Sequence, residues 1–255
     1  MRNSCATAHW IGQAGAFLLA LASALPVEAA DRTAGVQREQ ALFLGVRAPV
    51  AGLDPGAELG VVAEALEALG RGGYVVVFRH GASMSDEKDE IPLVLSDCSK
   101  QRNLSDWGRD TMQGLGGFLA ERNVRFSVAY SSAMCRAVDT ARRLTSAGVV
   151  PVMGITMAGG MAGGMSGDTQ ADAEGAQTLR SLVSTVPAKG TNTLVVTHAP
   201  NLVAAFGADL SGVPEGGAVV FEPHPSGDST YSVRWRLPLW AVANYARHLR
   251  GMTAP

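Results

Sequence analysis

The stretch Tyr74-Val75-Val76-Val77-Phe78-Arg79-His80-Gly81 constrains this chain more than any other. An unbroken run of β-branched and aromatic residues stops at an arginine and a histidine. A run without polar alternation fits a strand covered on both faces, as in a parallel sheet. Gly81 then lets the backbone turn and come close to a ligand. In open α/β sheets ligands collect at the carboxyl ends of strands, which is where Arg79 and His80 stand. Taken alone, the stretch fits two readings equally: a ligand site, or an arginine paired with a carboxylate beside a hydrogen-bonded core histidine.

Two further apolar runs end in the same way. Residues 126–130 precede Ser131-Ser132, and residues 193–197 precede His198. Helical spacing alternates with them. It is expected over 58–69 with a stop at Gly70, over about 107–122 with Ser105 as cap, over 134–145, over 170–186, from Pro200 to about 210, and over 239–250. Gly114, Gly116 and Gly117 weaken the second of these helices. Short strands are expected at 149–153, 218–221 and 230–237, the last two joined by a turn over 223–228. Strands alternating with helices predict an α/β fold with a mostly parallel sheet.

Composition sets the outer limits. At 255 residues, 47% hydrophobic and 17% charged, the chain suits one globular domain, here placed at 57–255. A net charge of −2 without a basic tract gives no reason to expect a nucleic-acid partner. The N-terminus reads as a signal peptide over 1–29: Arg2, an apolar core over 14–25, and the small-x-Ala site Val27-Glu28-Ala29. A spanning helix needs roughly 20 apolar residues, so no stable membrane span is expected after cleavage. The protein is expected to be periplasmic or secreted, with residues 30–56 as a surface lead-in. Cys5 falls in the signal, which leaves Cys98 and Cys135 as an even pair in an oxidising compartment. They are expected to bridge, the alternative being two buried thiols.

Two other stretches stand out. Asp86-Glu87-Lys88-Asp89-Glu90 reads as a solvated charge run. Met153, Met157, Met161 and Met165 recur every four residues, but among glycines that disfavour a helix. Thioethers suit Cu(I); the simpler reading is a Gly-Met loop with no function of its own.

The three strand ends carry the chemistry. Parallel strands bring Arg79-His80, Ser131-Ser132 with Arg136, and His198 to one rim, together with at least two helix N-termini. Two arginines that can fork onto oxygens, two imidazoles and positive helix ends suit a dianionic tetrahedral group. The histidines show no metal-binding spacing, and no Asp or Glu lies within five residues of His80 or His198. No metal or other cofactor is expected. G-x-S-x-G is absent, so His80 is the natural nucleophile, with His198 as a transition-state donor.

These blocks resemble the signatures of the histidine phosphatase superfamily, the phosphoglycerate mutase-like fold. They are Arg79-His80-Gly81, Ser131-Ser132-Ala133-Met134-Cys135-Arg136 with Thr140-Ala141, and Thr197-His198, with Leu104-Ser105-Asp106-Trp107-Gly108 opening a first long helix. Cys98, Gln101-Arg102-Asn103 and Glu215-Gly216-Gly217 look like features of an exported bacterial branch. The resemblance runs from about residue 66 to 223. It implies a three-layer sandwich whose mostly parallel sheet is flanked by helices, with His80 as the phosphorylated residue. Arg79, Arg136 and His198 would complete a phosphate pocket, and Arg102 would be a further substrate contact or a surface arginine. The family's carboxylic acid has no clear counterpart: Glu215 leads, Asp168 and Asp172 border the Gly-Met loop, and Ala199 follows the second histidine. Glu215 as a solvated loop residue is the alternative. The implied activity is hydrolysis of a phosphomonoester, on a small phosphorylated substrate or a phosphoprotein. A phosphomutase, and a phosphate-binding protein without turnover, are the alternatives.

Overall fold

The computed structural model describes residues 37–41, 43–44, 46, 55–156, 169–224 and 230–252. The expected signal peptide, Met157, Met161, Met165, Asp168 and most of the 223–228 turn lie outside them.

Six strands form one sheet: β1 (Val75–Arg79), β2 (Phe126–Ser131), β3 (Val149–Pro151), β4 (Asn192–Thr197), β5 (Ala218–Pro223) and β6 (Tyr231–Leu237). Their order is β3-β2-β4-β1-β5-β6. The first four run parallel, whereas β5 is antiparallel to both β1 and β6. The β1 run sits at the centre and alternates between two cores, as a period of two requires. Val76 and Phe78 enter one cluster, Val75 and Val77 the other.

Helices cover both faces. Residues of α1 (Pro55–Arg71), α2 (Asp106–Glu121), α3 (Cys135–Leu144) and α6 (Leu239–Leu249) build the first core. Residues of α4 (Thr169–Val183) and α5 (Ala199–Phe206) build the second. The result is the expected three-layer α/β arrangement. No helix among the described residues is long and apolar enough to cross a membrane.

Several expected ends move. Helix α1 continues through Gly70 to Arg71 and stops at Gly72 and Gly73, both at positive φ. Helix α5 ends at Phe206, and a 3-10 turn over Ala208–Leu210 takes up the rest. The cap at Ser105 is as expected, its hydroxyl accepting from the Gly108 N–H at 3.0 Å. The glycines of α2 mark close packing: a Cβ at Gly108, Gly114 or Gly116 would run into the carbonyls of Ala82, Glu39 and Arg143.

The surface lead-in needs correction. Phe43 is 1% exposed and stacks at 5.7 Å on Phe118 of α2. Arg247 of α6 donates to the carbonyls of Leu44 and Val46. A stretch without periodicity gave no sequence signal, yet Phe43, Leu44 and Val46 are held against α2 and α6. Replacing Phe43 with alanine is expected to cost about 3–5 kcal/mol of stability, read from chemical denaturation of the protein. A change below about 1 kcal/mol would place the ring outside the core.

Candidate active site

The parallel register of β1 and β4 decides the site. Arg79 is level with Thr197, so the next residues, His80 and His198, leave adjacent strands side by side. The His80 N–H donates to the Thr197 carbonyl at 3.1 Å, and the two imidazole centroids are 5.1 Å apart. Helix α3 presents Arg136, Ala137, Thr140, Ala141 and Leu144 on its buried face, which turns a guanidinium inward beside the histidines. The Thr140 hydroxyl locks this helix to the turn after β1, accepting from the Gly81 N–H at 2.9 Å and donating to the Arg136 carbonyl at 2.7 Å.

These side chains surround a cavity of about 260 Å³. Arg79, His80, Arg102, Arg136 and His198 line it, with Ala199 and Pro200 from the first turn of α5 and, on the remaining side, Asp89. Hollows of about 460 and 540 Å³ lie elsewhere, but neither has a histidine in its wall. Chemistry rather than size picks out this cavity.

A hydrogen bond fixes the His80 tautomer. His80 Nδ1 lies 2.8 Å from the Gly81 carbonyl, which can only accept, so Nδ1 carries the proton and Nε2 keeps its lone pair. Ser132 Oγ accepts from the Met134 N–H and lies 2.8 Å from His198 Nε2. Its own O–H can donate to Nε2, and in that tautomer His198 Nδ1 carries the proton. Burial pushes the His80 pKa down to about 3, helped by the guanidiniums of Arg136, Arg79 and Arg102 and opposed by the Gly81 carbonyl. Burial, then His80 and the same arginines, holds His198 well below the ordinary imidazole value. Both rings are therefore neutral at pH 7.

Each inner arginine is held from outside by a carboxylate. Arg79 Nη1 donates to the Val213 carbonyl at 3.2 Å and Nη2 to Glu215 Oε1 at 3.4 Å. Glu215 also accepts from the N–H and hydroxyl of Ser83, and the Gly216 N–H, at φ +75°, reaches the carbonyls of Arg79 and His80. Arg136 Nη1 donates to Asp89 at 2.9 Å and to the Arg102 carbonyl at 3.2 Å, while Nη2 meets the Met134 sulfur. The buried side-chain nitrogens without a hydrogen-bond partner include Arg79 Nε, Arg136 Nε and His198 Nδ1, which belong to three of the residues lining the cavity.

The structure thus brings together Arg79, His80, Arg136, His198 and Arg102. Glu215 is half-buried, bonded to Arg79 and Ser83, and is not among the residues lining the cavity. Asp172 stands in the first turn of α4 and does not line the cavity. Asp89 was missed. It belongs to a charge run read as solvated, and nothing in Asp86-Glu87-Lys88-Asp89-Glu90 distinguishes the one carboxylate that turns inward.

The Cys98–Cys135 disulfide is present, with Cα atoms 5.7 Å apart. It fastens the segment carrying Arg102 to the start of α3, one residue before Arg136. Gln101 reinforces the clamp by accepting from the Cys135 N–H and donating to the carbonyls of Val94 and Leu95.

No protein-family model matches the chain, and no curated protein does. Solved structures similar to it include a protein histidine phosphatase SixA complexed with tungstate. That pair shares 15% identity at a TM-score of 0.46, covering 65% of this chain and 97% of that one. A phosphoserine phosphatase from Entamoeba histolytica in complex with 3-phosphoglyceric acid matches at 12% identity and 0.47, over 66% and 98%. The product of an open reading frame of Mycobacterium tuberculosis matches at 15% and 0.46, over 67% and 100%.

Neutral buried imidazoles have a consequence for pH. The folded pKa lies below the unfolded value of about 6.5, so the unfolded chain binds more protons as pH falls. Stability is full above about pH 6.5 and declines toward about pH 3 as that difference grows. Histidine ring NMR of the ligand-free protein is expected to show His80 still neutral at pH 5. A His80 midpoint near 6.5 would mean an imidazole open to water.

Proposed function

We propose that this protein is a metal-independent phosphatase that hydrolyses a phosphomonoester through a phosphohistidine on His80. The observation that carries this reading is one small cavity walled by Arg79, Arg102, Arg136 and His198 together with a His80 whose Nε2 keeps its lone pair. A tetrahedral dianion offers acceptors in several directions, and two guanidiniums supply the opposite charge.

The chemistry follows from this geometry. A phosphoryl group held by Arg79, Arg136 and His198 Nδ1 presents phosphorus to His80 Nε2. Nε2 attacks, the bond to the leaving oxygen breaks, and the imidazole takes on positive charge against the dianionic phosphoryl group. The Gly81 carbonyl accepts from Nδ1–H and steadies that charge. The arginines and His198 hold the equatorial oxygens as charge shifts, in a site already arranged to do so. Water then attacks the phosphohistidine and releases inorganic phosphate. On this reading the ordered blocks from Arg79 to Gly217 place the chain in the histidine phosphatase superfamily. The N-terminal apolar segment and the paired cysteines support an exported member.

Turnover of p-nitrophenyl phosphate is expected to persist in chelator and to fall by about 1,000-fold or more in His80→Ala. A rapid-quench label on the wild-type protein should be acid-labile and base-stable, as a P–N bond is. Arg136→Lys is expected to lose about 100-fold in kcat/KM, because an ammonium cannot reproduce the fork. Full activity in His80→Ala would remove the mechanism.

A further inference from the structure

Phosphoryl transfer to His80 leaves one requirement unmet: an oxygen leaving group other than an activated phenolate needs a proton. Resting on the phosphatase reading, we propose that Asp89 supplies it and takes a proton back from the hydrolytic water.

The argument is one of position. Among the described residues, Asp89 is the only carboxylate in the cavity wall. Glu215 lies behind Arg79, with Oε1 on Arg79 and Ser83 and Oε2 on the Ser83 N–H. Asp89 is anchored asymmetrically. Its Oδ1 accepts from Arg136 Nη1 and from the Arg102 N–H, both at 2.9 Å. Its Oδ2 has a single contact, Arg136 Nη1 at 3.3 Å. Oδ1 therefore fixes the carboxylate in place, and Oδ2 has lone-pair capacity for a proton. The side chain is 21% exposed, against 2% for Arg136, so this part of the cavity wall is reached by solvent. A leaving group must depart through that boundary.

The proton balance closes without any other reactant. A phosphomonoester entering as its monoanion gives its proton to Asp89 Oδ2, leaving a dianionic phosphoryl group between Arg79 and Arg136. His80 Nε2 forms the P–N bond, the P–O bond to the leaving group breaks, and Oδ2–H protonates the departing oxygen. In the second half, water adds to phosphorus and gives one proton to the Asp89 carboxylate. The P–N bond breaks, and its electron pair returns to Nε2. Hydrogen phosphate and a neutral imidazole result, with Asp89 reprotonated for release of the proton to solvent.

The test compares leaving groups. Asp89→Asn and Glu215→Gln would each be assayed in the full chain with p-nitrophenyl phosphate and with an alkyl phosphate such as glycerol phosphate. General acid catalysis is worth typically about 10²–10⁴-fold. Asp89→Asn is expected to lose about 100-fold or more in kcat on the alkyl ester and about ten-fold or less on the aryl ester. Glu215→Gln is expected to lose equally on both esters. Inhibition by inorganic phosphate within about three-fold of wild type would show that Asp89→Asn keeps its pocket. Equal losses on both esters in Asp89→Asn, or a leaving-group-dependent loss in Glu215→Gln instead, would overturn the assignment and leave phospho-His80 standing. Absence of any His80 label in the wild-type protein would overturn the phosphatase reading and this one with it.

Discussion

A guanidinium buried to 2% exposure organises this site. A charge taken out of water must be paired and hydrogen-bonded or it costs the fold several kcal/mol. Burial works against the charge on Arg136, and Asp89 works for it. Meeting that requirement draws in Asp89, the Arg102 carbonyl and the Met134 sulfur. The long polar segment after β1 is thereby tied to α3. The disulfide and Gln101 fasten the same two pieces from the other side. A stretch that could have been solvated loop becomes one wall of the cavity because an arginine needs an anion and a carbonyl at that place.

The second inner arginine is treated alike. Arg79 hands its outer nitrogens to Val213 and Glu215, and the loop around Gly216 grips the backbone of Arg79 and His80. In both arginines the terminal nitrogens are engaged by a carboxylate and a carbonyl, and Nε is buried without a hydrogen-bond partner. The carboxylates thus set the direction of each guanidinium without cancelling the donors that remain. Between the two cations, two imidazoles stay uncharged because burial among positive groups makes protonation expensive. Neutral imidazoles between two guanidiniums make a site suited to negative charge.

Much of this was legible from residue order. The run ending at Arg79-His80, the matching run ending at Thr197-His198 and the block carrying Arg136 each announce a strand whose polar end faces outward from the sheet. Parallel strands place such ends on one edge. The cap at Ser105 and the paired cysteines were equally readable. Phe43 was not, because a single aromatic in an aperiodic segment leaves no pattern. Nor was Asp89, since five consecutive charged or acidic-flanked positions look the same to any local rule. Glu215 was legible as important but not in its task, because bracing an arginine and donating a proton ask for the same residue type.

Sequence by itself determined the fold class, the strand ends and four of the cavity's side chains, because hydrophobic period and short motifs are local properties of the chain. Tertiary structure alone decided which carboxylate meets the cavity, which one stands behind an arginine, and which imidazole nitrogen is free. Those depend on the register between β1 and β4 and on the side from which a loop approaches. Such distances join residues up to 136 positions apart in the chain, and no local pattern encodes them.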